Sequence, residues 1–547
     1  MAQENLFFVT FLFMSTFLFV HKVLKSGSRA PNLPPGPDTR PVVGNSDIAA
    51  GDAVHLKYTW WARVYGHIFS LKHGDNTTIV LNNINSANEL INRRSDSFIE
   101  AQPEEWKLHR ETAESLLSSS NIMDHRAVQQ AEGFQLLQDM IDSPQEFVNH
   151  ITRASTSTLA SMFFGRRLPR FESTESDEFH EINRLSAHLA SSPASHQKES
   201  ELSAKRNKFY NHLIASGAKR ATRKEGWTGS FAEEVLRRKN TGIARDQVPS
   251  FLGSLLESGS PTLAVFLQNL ILALASNPDV LRKAQNEIER NVGYKRAPQS
   301  DDIASLPYIK AVVKETFRFR PSVPVGASLQ TVVDGEFYRG WSLPRGSTVV
   351  PNIYGMTHDP EYFDDAESFK PERFLQSEYG TKQNVDDSAF RQSATGANVM
   401  FGAGDQAWAD LSSDLATLNT MNLIWAFNIT LPKNEEGDIE FLDMHTYDYS
   451  VRPPSLLPLS PTLANSPLSP PVKKSTQAPS PKLSSTQLQS ITITPRNRKV
   501  RNIVEQEFVD ATRVFERFEQ GIPVEDRKFI EGQRARMNPA FEGGIEA

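Results

Sequence analysis

The most restrictive feature of this 547-residue chain is that it contains no cysteine. Without a thiol the protein forms no disulfide bond, no zinc site with thiolate ligands, no iron–sulfur cluster and no cysteine nucleophile. Any metal bound by the chain must also do without a thiolate ligand. The 59 Lys and Arg residues nearly balance the 65 Asp and Glu residues, which gives a net charge of −6. This balance argues against a polyanion-binding surface, so we expect no nucleic-acid partner.

Residues 1–25 predict a membrane anchor. Residues 6–20 carry no charge, and six of these fifteen residues are Phe. Because Lys22 and Lys25 can extend their charged heads to the membrane interface, the apolar run reaches about 19 usable residues. A cleaved signal peptide is the alternative, but it would begin with basic residues, and the only charged side chain before the run is Glu4. The basic residues after the run predict that the rest of the chain lies on the cytoplasmic side.

Proline dominates two segments near the ends of the chain. Residues 26–45 include the sequence PNLPPGP and predict a stiff hinge after the anchor. Residues 453–490 are rich in Ser and Pro, which predicts a disordered segment because such a sequence buries too little apolar surface to order it. Residues 491–547 predict one amphipathic helix and a tail, since apolar residues recur at helical spacing from Val500 onward. This helix either packs on the body or binds a partner.

The body, residues 46–452, predicts a mainly α fold with a small β content. Residues 68–71 and 78–81 are rich in β-forming residues and flank a turn at Gly74, which predicts a hairpin. Residues 251–275 form the most apolar internal segment, followed by Asn-Pro. This segment predicts a long central helix.

Three short motifs follow the central segment. Glu315 and Arg318 stand three residues apart in the sequence KETFR, on one face of a predicted helix where an ion pair can form. The sequence His-Asp-Pro begins at His358, and Arg373 lies in the sequence FKPERF. Taken alone, such a Glu/Arg pair is usually a solvated surface contact.

Together with the anchor and the proline hinge, these motifs make residues 6–452 resemble a fungal microsomal cytochrome P450. The resemblance implies a mainly helical prism with a small β-region, and haem b as the cofactor. It further implies a monooxygenase acting on a hydrophobic small molecule in secondary metabolite biosynthesis. The expected location is the endoplasmic reticulum membrane, with a single span and the large domain facing the cytoplasm. The expected electron donor is a membrane-bound, NADPH-dependent cytochrome P450 reductase.

The resemblance also implies roles for individual residues. Three charged residues would form a buried core triad: Glu315, Arg318 and Arg373. Two residues of the sequence WKLHR would contact a haem propionate: Trp106 and Arg110. The opening of the haem-binding loop would be Phe401, Gly402 and Gly404.

After Gly404 the chain departs from the pattern of the family. The family places an Arg two residues and a Cys four residues beyond this glycine, where the chain has Gln406 and Trp408. Tryptophan offers only an indole N–H donor and no lone pair for iron. Because the chain has no cysteine, no other alignment restores the thiolate that favours O–O cleavage. We therefore expect impaired haem binding, little or no oxygen activation, and no metal ligand at Trp408.

The proton relay of the family is also altered. Its central helix carries a Gly-x-Asp/Glu-Thr step, whereas this chain has Gly259, Ser260, Pro261 and Thr262. The acid is thus replaced by Pro261, which cannot transfer protons. Thr262 remains the candidate catalytic hydroxyl. The alternative for Thr262 is a helix threonine that bonds to a carbonyl one turn back.

A third departure is the short segment between Phe98 and Trp106, where the family has a longer loop that covers the substrate. Two causes fit the three departures: a haem-poor descendant of the family, or a gene model with misplaced splice junctions. Besides a monooxygenase, two functions stay open. One is a non-catalytic or haem-free protein of this fold that binds an apolar ligand or a partner enzyme. The other is an enzyme that uses the cavity without iron to orient its substrate.

Overall fold

The computed structural model describes residues 10–18, 27–49, 53–94, 104–117, 119–191, 196–223, 226–238, 243–326, 329–331, 336–392, 406–433 and 490–537. Several predictions from the sequence lie outside these residues. They concern the short loop after Phe98, the haem-loop residues Phe401, Gly402 and Gly404, and the Ser/Pro-rich residues 453–489.

Helices make up most of the described chain, as the sequence predicted. In chain order the α-helices are α1 (10–18), α2 (Ser46–Ala49), α3 (Val54–Tyr65), α4 (Ile84–Ala87), α5 (Glu104–Leu116), α6 (Ser119–Asp124), α7 (Arg126–Asp142), α8 (Phe147–Phe164), α9 (Thr174–Ser191), α10 (His196–Arg223), α11 (Phe231–Arg237), α12 (Val248–Ser276), α13 (Pro278–Asn291), α14 (Pro307–Phe319), α15 (Ile353–Thr357), α16 (Arg373–Gln376), α17 (Ser388–Gln392), α18 (Gln406–Ala426), α19 (Arg498–Phe515) and α20 (Val524–Met537). Shorter helical turns are the π-helix Asn88–Arg93 and the 3₁₀-helices Pro144–Glu146, Ser300–Ser305 and Glu516–Phe518.

The β-strands in the described part of the chain form three small sheets. The strands are β1 (Ile68–His73), β2 (Asn76–Leu81), β3 (Leu329–Gln330), β4 (Glu336–Tyr338), β5 (Trp341–Leu343), β6 (Thr348–Pro351), β7 (Phe427–Thr430) and β8 (Thr492–Pro495). The largest sheet has the order β1-β2-β6-β3, with β2 and β6 parallel and the other pairs antiparallel. The pairs β4-β5 and β7-β8 are antiparallel. The predicted hairpin is confirmed by the pairing of β1 with β2 across the turn at Gly74.

Contacts divide the chain into two compact units. The first contains residues 1–103, 324–366 and 386–403, and it includes the four-stranded sheet. Its core includes a cluster of aromatic and aliphatic residues from α3 and strands β1, β2 and β6, made by Tyr58, Trp61, Phe69, Leu71, Val80 and Val350. The second contains residues 104–323, 367–385 and 404–547, and it includes the long helices.

The proline-rich hinge of the first unit lies along β1. Arg29 donates hydrogen bonds to the carbonyl oxygens of Gly36 (2.9 Å), Pro37 (2.7 Å) and Ser70 (2.9 Å). The backbone N–H of Ser70 donates to the carbonyl of Pro35 over 2.8 Å. The carbonyl groups of the hinge lie outside any helix or sheet. They therefore accept their hydrogen bonds from the Arg29 guanidinium group and from strand β1.

The central helix α12 lies in the core of the second unit and confirms the prediction for residues 251–275. It packs against α8, α10, α14 and α18. Among the described residues it is the one helix long and apolar enough to cross a membrane, and 72% of its most apolar window is buried in the protein. The predicted N-terminal membrane helix stays a prediction; residues 10–18 are helical, with exposed apolar side chains such as Phe13 (78% exposed).

The segment after residue 490 packs on the second unit. Strand β8 pairs with β7, with Thr492 opposite Thr430. Helix α19 packs along α7, where Phe508, Ala511 and Phe515 meet Ala131. The sequence left open whether the amphipathic helix packs on the body or binds a partner. In the structure the helix packs on the body.

The hinge allows a test of local packing. A Cβ atom on Gly36 would overlap the carbonyl oxygen of Ser70 and the guanidinium group of Arg29. We expect Gly36→Ala to lower the free energy of unfolding by about 1–3 kcal/mol, since overpacking displaces backbone and side chains. Urea unfolding of the detergent-solubilised chain measures this loss.

The matched control is Gly532→Ala in α20, where an added Cβ meets no atom within 4 Å. This change is expected to leave stability unchanged or to raise it by up to about 1 kcal/mol, because alanine favours a helix interior. Equal effects of the two substitutions would contradict the packing of the hinge on β1.

Candidate functional site

A buried carboxylate lies at the centre of the motif residues on α14. Glu315 accepts hydrogen bonds from Arg318 Nε (2.7 Å) and Nη2 (2.9 Å), and both side chains are 0% exposed. Arg373 Nε, at the start of α16, donates to the same carboxylate over 3.2 Å. The structure therefore brings together the three residues of the predicted triad. Their burial separates this pair from an ordinary surface Glu/Arg contact.

The triad also binds the chain that precedes α16. The backbone N–H of Lys370 donates to Glu315 Oε1 over 2.7 Å, and Arg318 Nη2 donates to the carbonyl of Ser368 over 3.1 Å. Phe369 packs edge-on against Phe319, with ring centroids 5.7 Å apart. One carboxylate thus fixes the segment 368–373 against the end of α14.

A cavity lies beside the middle of the central helix. Its volume is about 20 Å³, room for one water molecule. The lining residues come from α8, α12, α14 and α18, and they are Leu159, Gly259, Thr262, Leu263, Phe317, Leu411, Ser412 and Leu415. The lining is therefore apolar with two hydroxyl groups.

The cavity contains the candidate residue Thr262, but its hydroxyl group is engaged. Thr262 Oγ1 donates to the carbonyl of Ser258 over 2.7 Å, one turn back on α12. This is the bond expected of a structural helix threonine. The catalytic role of Thr262 stays a prediction.

The helix remains continuous through Pro261, although proline removes one donor of the helix ladder. The adjacent Ser260 forms a hydrogen bond to a neighbouring helix, since its hydroxyl oxygen lies 2.6 Å from Thr156 Oγ1 on α8. This buried bond joins the two helices next to the cavity.

The sequence analysis missed a buried carboxylate on α12. Glu257 accepts hydrogen bonds from Tyr210 (2.6 Å) and from Arg206 Nη2 (2.6 Å), both on α10. Burial and the neighbouring Glu257 carboxylate raise the pKa of Tyr210, so its hydroxyl group stays a donor. The ring of Tyr210 lies against Gly253, where a Cβ would overlap it. A signal was present in the sequence, because Glu257 is the only charged residue of α12.

Comparison with known proteins identifies the family that has this triad and central helix. The Cytochrome P450 family model matches residues 34–406. The chain belongs to the cytochrome P450 family. The match covers the triad and the central helix, and it ends two residues before Trp408.

Fungal cytochrome P450 monooxygenases are among the similar proteins. The chain is 32% identical over 469 residues to cytochrome P450 monooxygenase ARMGADRAFT_1018417 of Armillaria gallica, covering 78% of this chain and 88% of that protein. It is 31% identical over 476 residues to cytochrome P450 monooxygenase ple5B of Rhodocybe pseudopiperita, covering 79% and 89%. For cytochrome P450 monooxygenase patI of Aspergillus clavatus the identity is 29% over 465 residues, covering 76% and 86%.

The fold is that of a solved cytochrome P450. A zebra fish cytochrome P450 determined with abiraterone matches with a TM-score of 0.55 and 21% identity. The match covers 69% of this chain and 93% of that chain. The cytochrome P450 fold, mainly helical with small sheets, is therefore confirmed.

The backbone locates the remaining residues that the cytochrome P450 resemblance singled out. Trp106 and Arg110 lie in α5, four residues apart and so on one face of the helix. Trp408 lies in the first turn of α18, three residues before the cavity residue Leu411 on the same helix. The haem-loop residues themselves lie outside the described chain.

The triad of this cytochrome P450 gives a stability test. In Glu315→Gln the two arginines lose their buried counter-charge, and we expect the free energy of unfolding to fall by about 3–5 kcal/mol. Urea unfolding of the full chain measures the change. A loss below about 1 kcal/mol would contradict the buried geometry.

The control for this test is Arg282→Ala. Arg282 pairs with Asp279 at the surface, where the side chains are 68% and 74% exposed. We expect this change to cost at most about 0.5 kcal/mol, because solvent screens such pairs.

Proposed function

We propose that this chain descends from fungal cytochrome P450 monooxygenases that oxidise a hydrophobic small molecule in secondary metabolite biosynthesis, and that as sequenced it lacks haem-thiolate oxygen activation. The observation that carries the second part is the absence of cysteine from all 547 residues. A thiolate supplies the electron density that favours O–O cleavage. Trp408, at the position of the family ligand, cannot replace it.

The family and the fold imply haem, but the residues of this chain do not fit its usual ligation. Among the described residues that line the cavity, none carries sulfur, an imidazole or a phenol. The sequence contains no histidine between His358 and His445, so α18 and the residues before it offer no imidazole in place of the thiolate. We therefore derive no reaction step through iron.

The central helix supports the same proposal. Pro261 occupies the position of the family acid, and the hydroxyl of Thr262 is bonded to the backbone. Glu257 is the one carboxylate of α12, but it is bonded to Tyr210 and Arg206 on α10. This part of α12 therefore provides no acid that could donate a proton beside the cavity. Pro261 has no proton to give, and the hydrogen bonds of Thr262 and Glu257 are made elsewhere.

A second candidate function is favoured by the cavity itself. The apolar lining with two hydroxyl groups matches the chemistry of a hydrophobic small molecule with one hydrogen-bonding group, and the cavity would have to widen to admit one. A haem-free or non-catalytic protein of this fold would bind such a ligand, or a partner enzyme, without performing oxidation.

The proposed location is the endoplasmic reticulum membrane, with the catalytic-type domain in the cytoplasm. The uncharged, Phe-rich residues 6–20 and the basic residues after them support this orientation. A partnership with an NADPH-dependent cytochrome P450 reductase follows only where haem is bound.

The decisive test is a carbon monoxide difference spectrum of the reduced, detergent-solubilised chain, combined with extraction of haem. We expect no Soret band of the thiolate-ligated type. In the double variant Gln406→Arg, Trp408→Cys we expect such a band to emerge, since the variant regains a thiolate and a propionate partner. The control is Gln406→Arg, Trp408→Phe, which regains only the charge. A thiolate-type band in the unmodified chain would overturn the proposal.

Sequencing the transcript across residues 98–106, 400–412 and 453–490 separates drift from misplaced splice junctions. A transcript that encodes these residues as given supports drift, and a transcript that encodes a Cys-containing loop assigns the departures to the gene model.

A further inference from the structure

A strained turn ends the proline-rich hinge. Residues 40–44 form this turn, in which the backbone N–H groups of Arg40 and Gly44 each donate to the carbonyl of the other residue over 2.9 Å. Inside the turn Val42 has a φ of +69°. A β-branched residue with a positive φ is an outlier, because its side chain is crowded by the backbone. Strain of this kind persists only where the surrounding structure enforces it, and it often marks a functional position.

The strained valine points its apolar surface to the outside. Val42 is 45% exposed and Val43 is 42% exposed. Pro41, which precedes them, is also exposed. The adjacent charge of Arg40 is paired with Asp47 over 2.6 Å. The tip of the turn therefore presents three consecutive apolar residues, and the arginine beside them is neutralised by an ion pair.

Hydrogen bonds fix this turn to strand β1. The carbonyl of Val43 accepts from the backbone N–H of Ser46 over 3.3 Å. The backbone N–H of Asn45 donates to the carbonyl of Lys72 over 2.6 Å, and the N–H of Lys72 donates to Asn45 Oδ1 over 2.9 Å. Because the residues just after the turn are bound to the sheet, the two valines are held at the surface and do not reach the core.

The course of the chain places this turn beside the predicted anchor. Gly27 lies two residues after the end of the anchor, residues 1–25, and it has a φ of +83°. A Cβ atom on Gly27 would lie 2.8 Å from the backbone nitrogen of Gly44 and 3.0 Å from the carbonyl carbon of Val42. Gly27 therefore packs directly on the turn. Two residues span at most about 7 Å, so an anchor that ends at residue 25 brings the turn to the membrane surface.

We propose that residues 41–43 insert into the interfacial layer of the bilayer and form a second membrane contact of the first unit, next to the anchor. The proposal rests on the proposed membrane location of the chain. Apolar side chains gain free energy where the headgroups meet the acyl chains. A turn that is already rigid loses little conformational entropy on insertion. Lipid contact thus gives the exposed, strained valine a role that packing within the protein does not.

The test uses the absence of cysteine from the chain, since one introduced cysteine then carries a label at a single known position. The full-length variant Val43→Cys is labelled with nitrobenzoxadiazole and reconstituted into phosphatidylcholine vesicles. Half of the samples contain phosphatidylcholine with a nitroxide group high on the acyl chain. We expect the nitroxide to lower the fluorescence about twofold, because apolar surface elements reach about 5–10 Å into this layer.

The matched control is Val524→Cys. Val524 is a valine with 65% exposure in the first turn of α20, and no short connection joins it to the anchor. Its label is expected to keep its fluorescence in the presence of nitroxide. Equal quenching at positions 43 and 524 overturns the proposal, because lipid contact is then not specific to the turn. Pro41→Cys is labelled in parallel, so that the test survives if Val43→Cys fails to fold.

The variant Phe13→Cys distinguishes failure of the turn from failure of the anchor. Phe13 lies in α1, within the predicted anchor. If the label at position 13 is not quenched by nitroxide lipids, the proposed anchor fails and the turn proposal fails with it. If the label at position 13 is quenched but the labels at positions 41 and 43 are not, only the turn proposal fails.

Discussion

Buried charges in the second unit are held by other buried charges. Glu315 with Arg318, Glu132 with Arg153, and Glu233 with Arg220 each form a pair with both side chains at most 5% exposed. Removing an ion from water costs several kcal/mol, and only a well-placed partner compensates for that cost. Apolar core positions tolerate substitutions of similar volume, whereas these positions do not tolerate loss of one partner. Such pairs fix α7 against α8 and α10 against α11, and Glu315 also pairs with Arg373 at the start of α16.

The central helix depends on this surrounding frame. Pro261 removes a donor from α12, yet the helix continues because neighbouring helices hold it on both sides of that residue. Before Pro261, Ser260 is bonded to Thr156 on α8 and Glu257 is bonded to Tyr210 on α10. After Pro261, Phe266 stacks on Phe317 of α14, with ring centroids 4.3 Å apart. The helix beside the cavity is thus continuous, although Pro261 stands where the resemblance predicts an acid.

The parts predicted from the sequence are those that depend on local spacing. Two runs of β-forming residues around a turn predicted the β1-β2 hairpin, a long apolar segment predicted α12, and a spacing of three residues placed Glu315 and Arg318 together. The buried ion pair between Arg167 and Glu519 escaped prediction because its partners are distant in sequence. Glu519 lies 352 positions from Arg167, and no local pattern links two such residues. Amphipathic spacing likewise predicted α19 but could not say that α7 covers its apolar face, since periodicity identifies a buried face without identifying its partner. The haem-loop residues remain predictions, because they lie outside the described chain.

Substituting a buried ionic residue and substituting a metal ligand affect the stability of the fold differently. This difference helps to explain why the chain departs from the family pattern at the haem loop and at Pro261. Loss of a buried ion destabilises the fold whatever the protein does, whereas replacing a metal ligand by an apolar residue leaves no uncompensated charge. A chain relieved of oxygen chemistry would therefore lose ligand and relay residues first and keep Glu315, Arg318 and Arg373, which is the pattern in this sequence. Misplaced splice junctions alter continuous stretches such as the loop before Trp408. They do not account for Pro261, which lies inside an uninterrupted helix of 29 residues whose neighbours on both sides pack into the core. The proposed loss of oxygen activation accounts for the change within α12 as well as for the change in the haem loop.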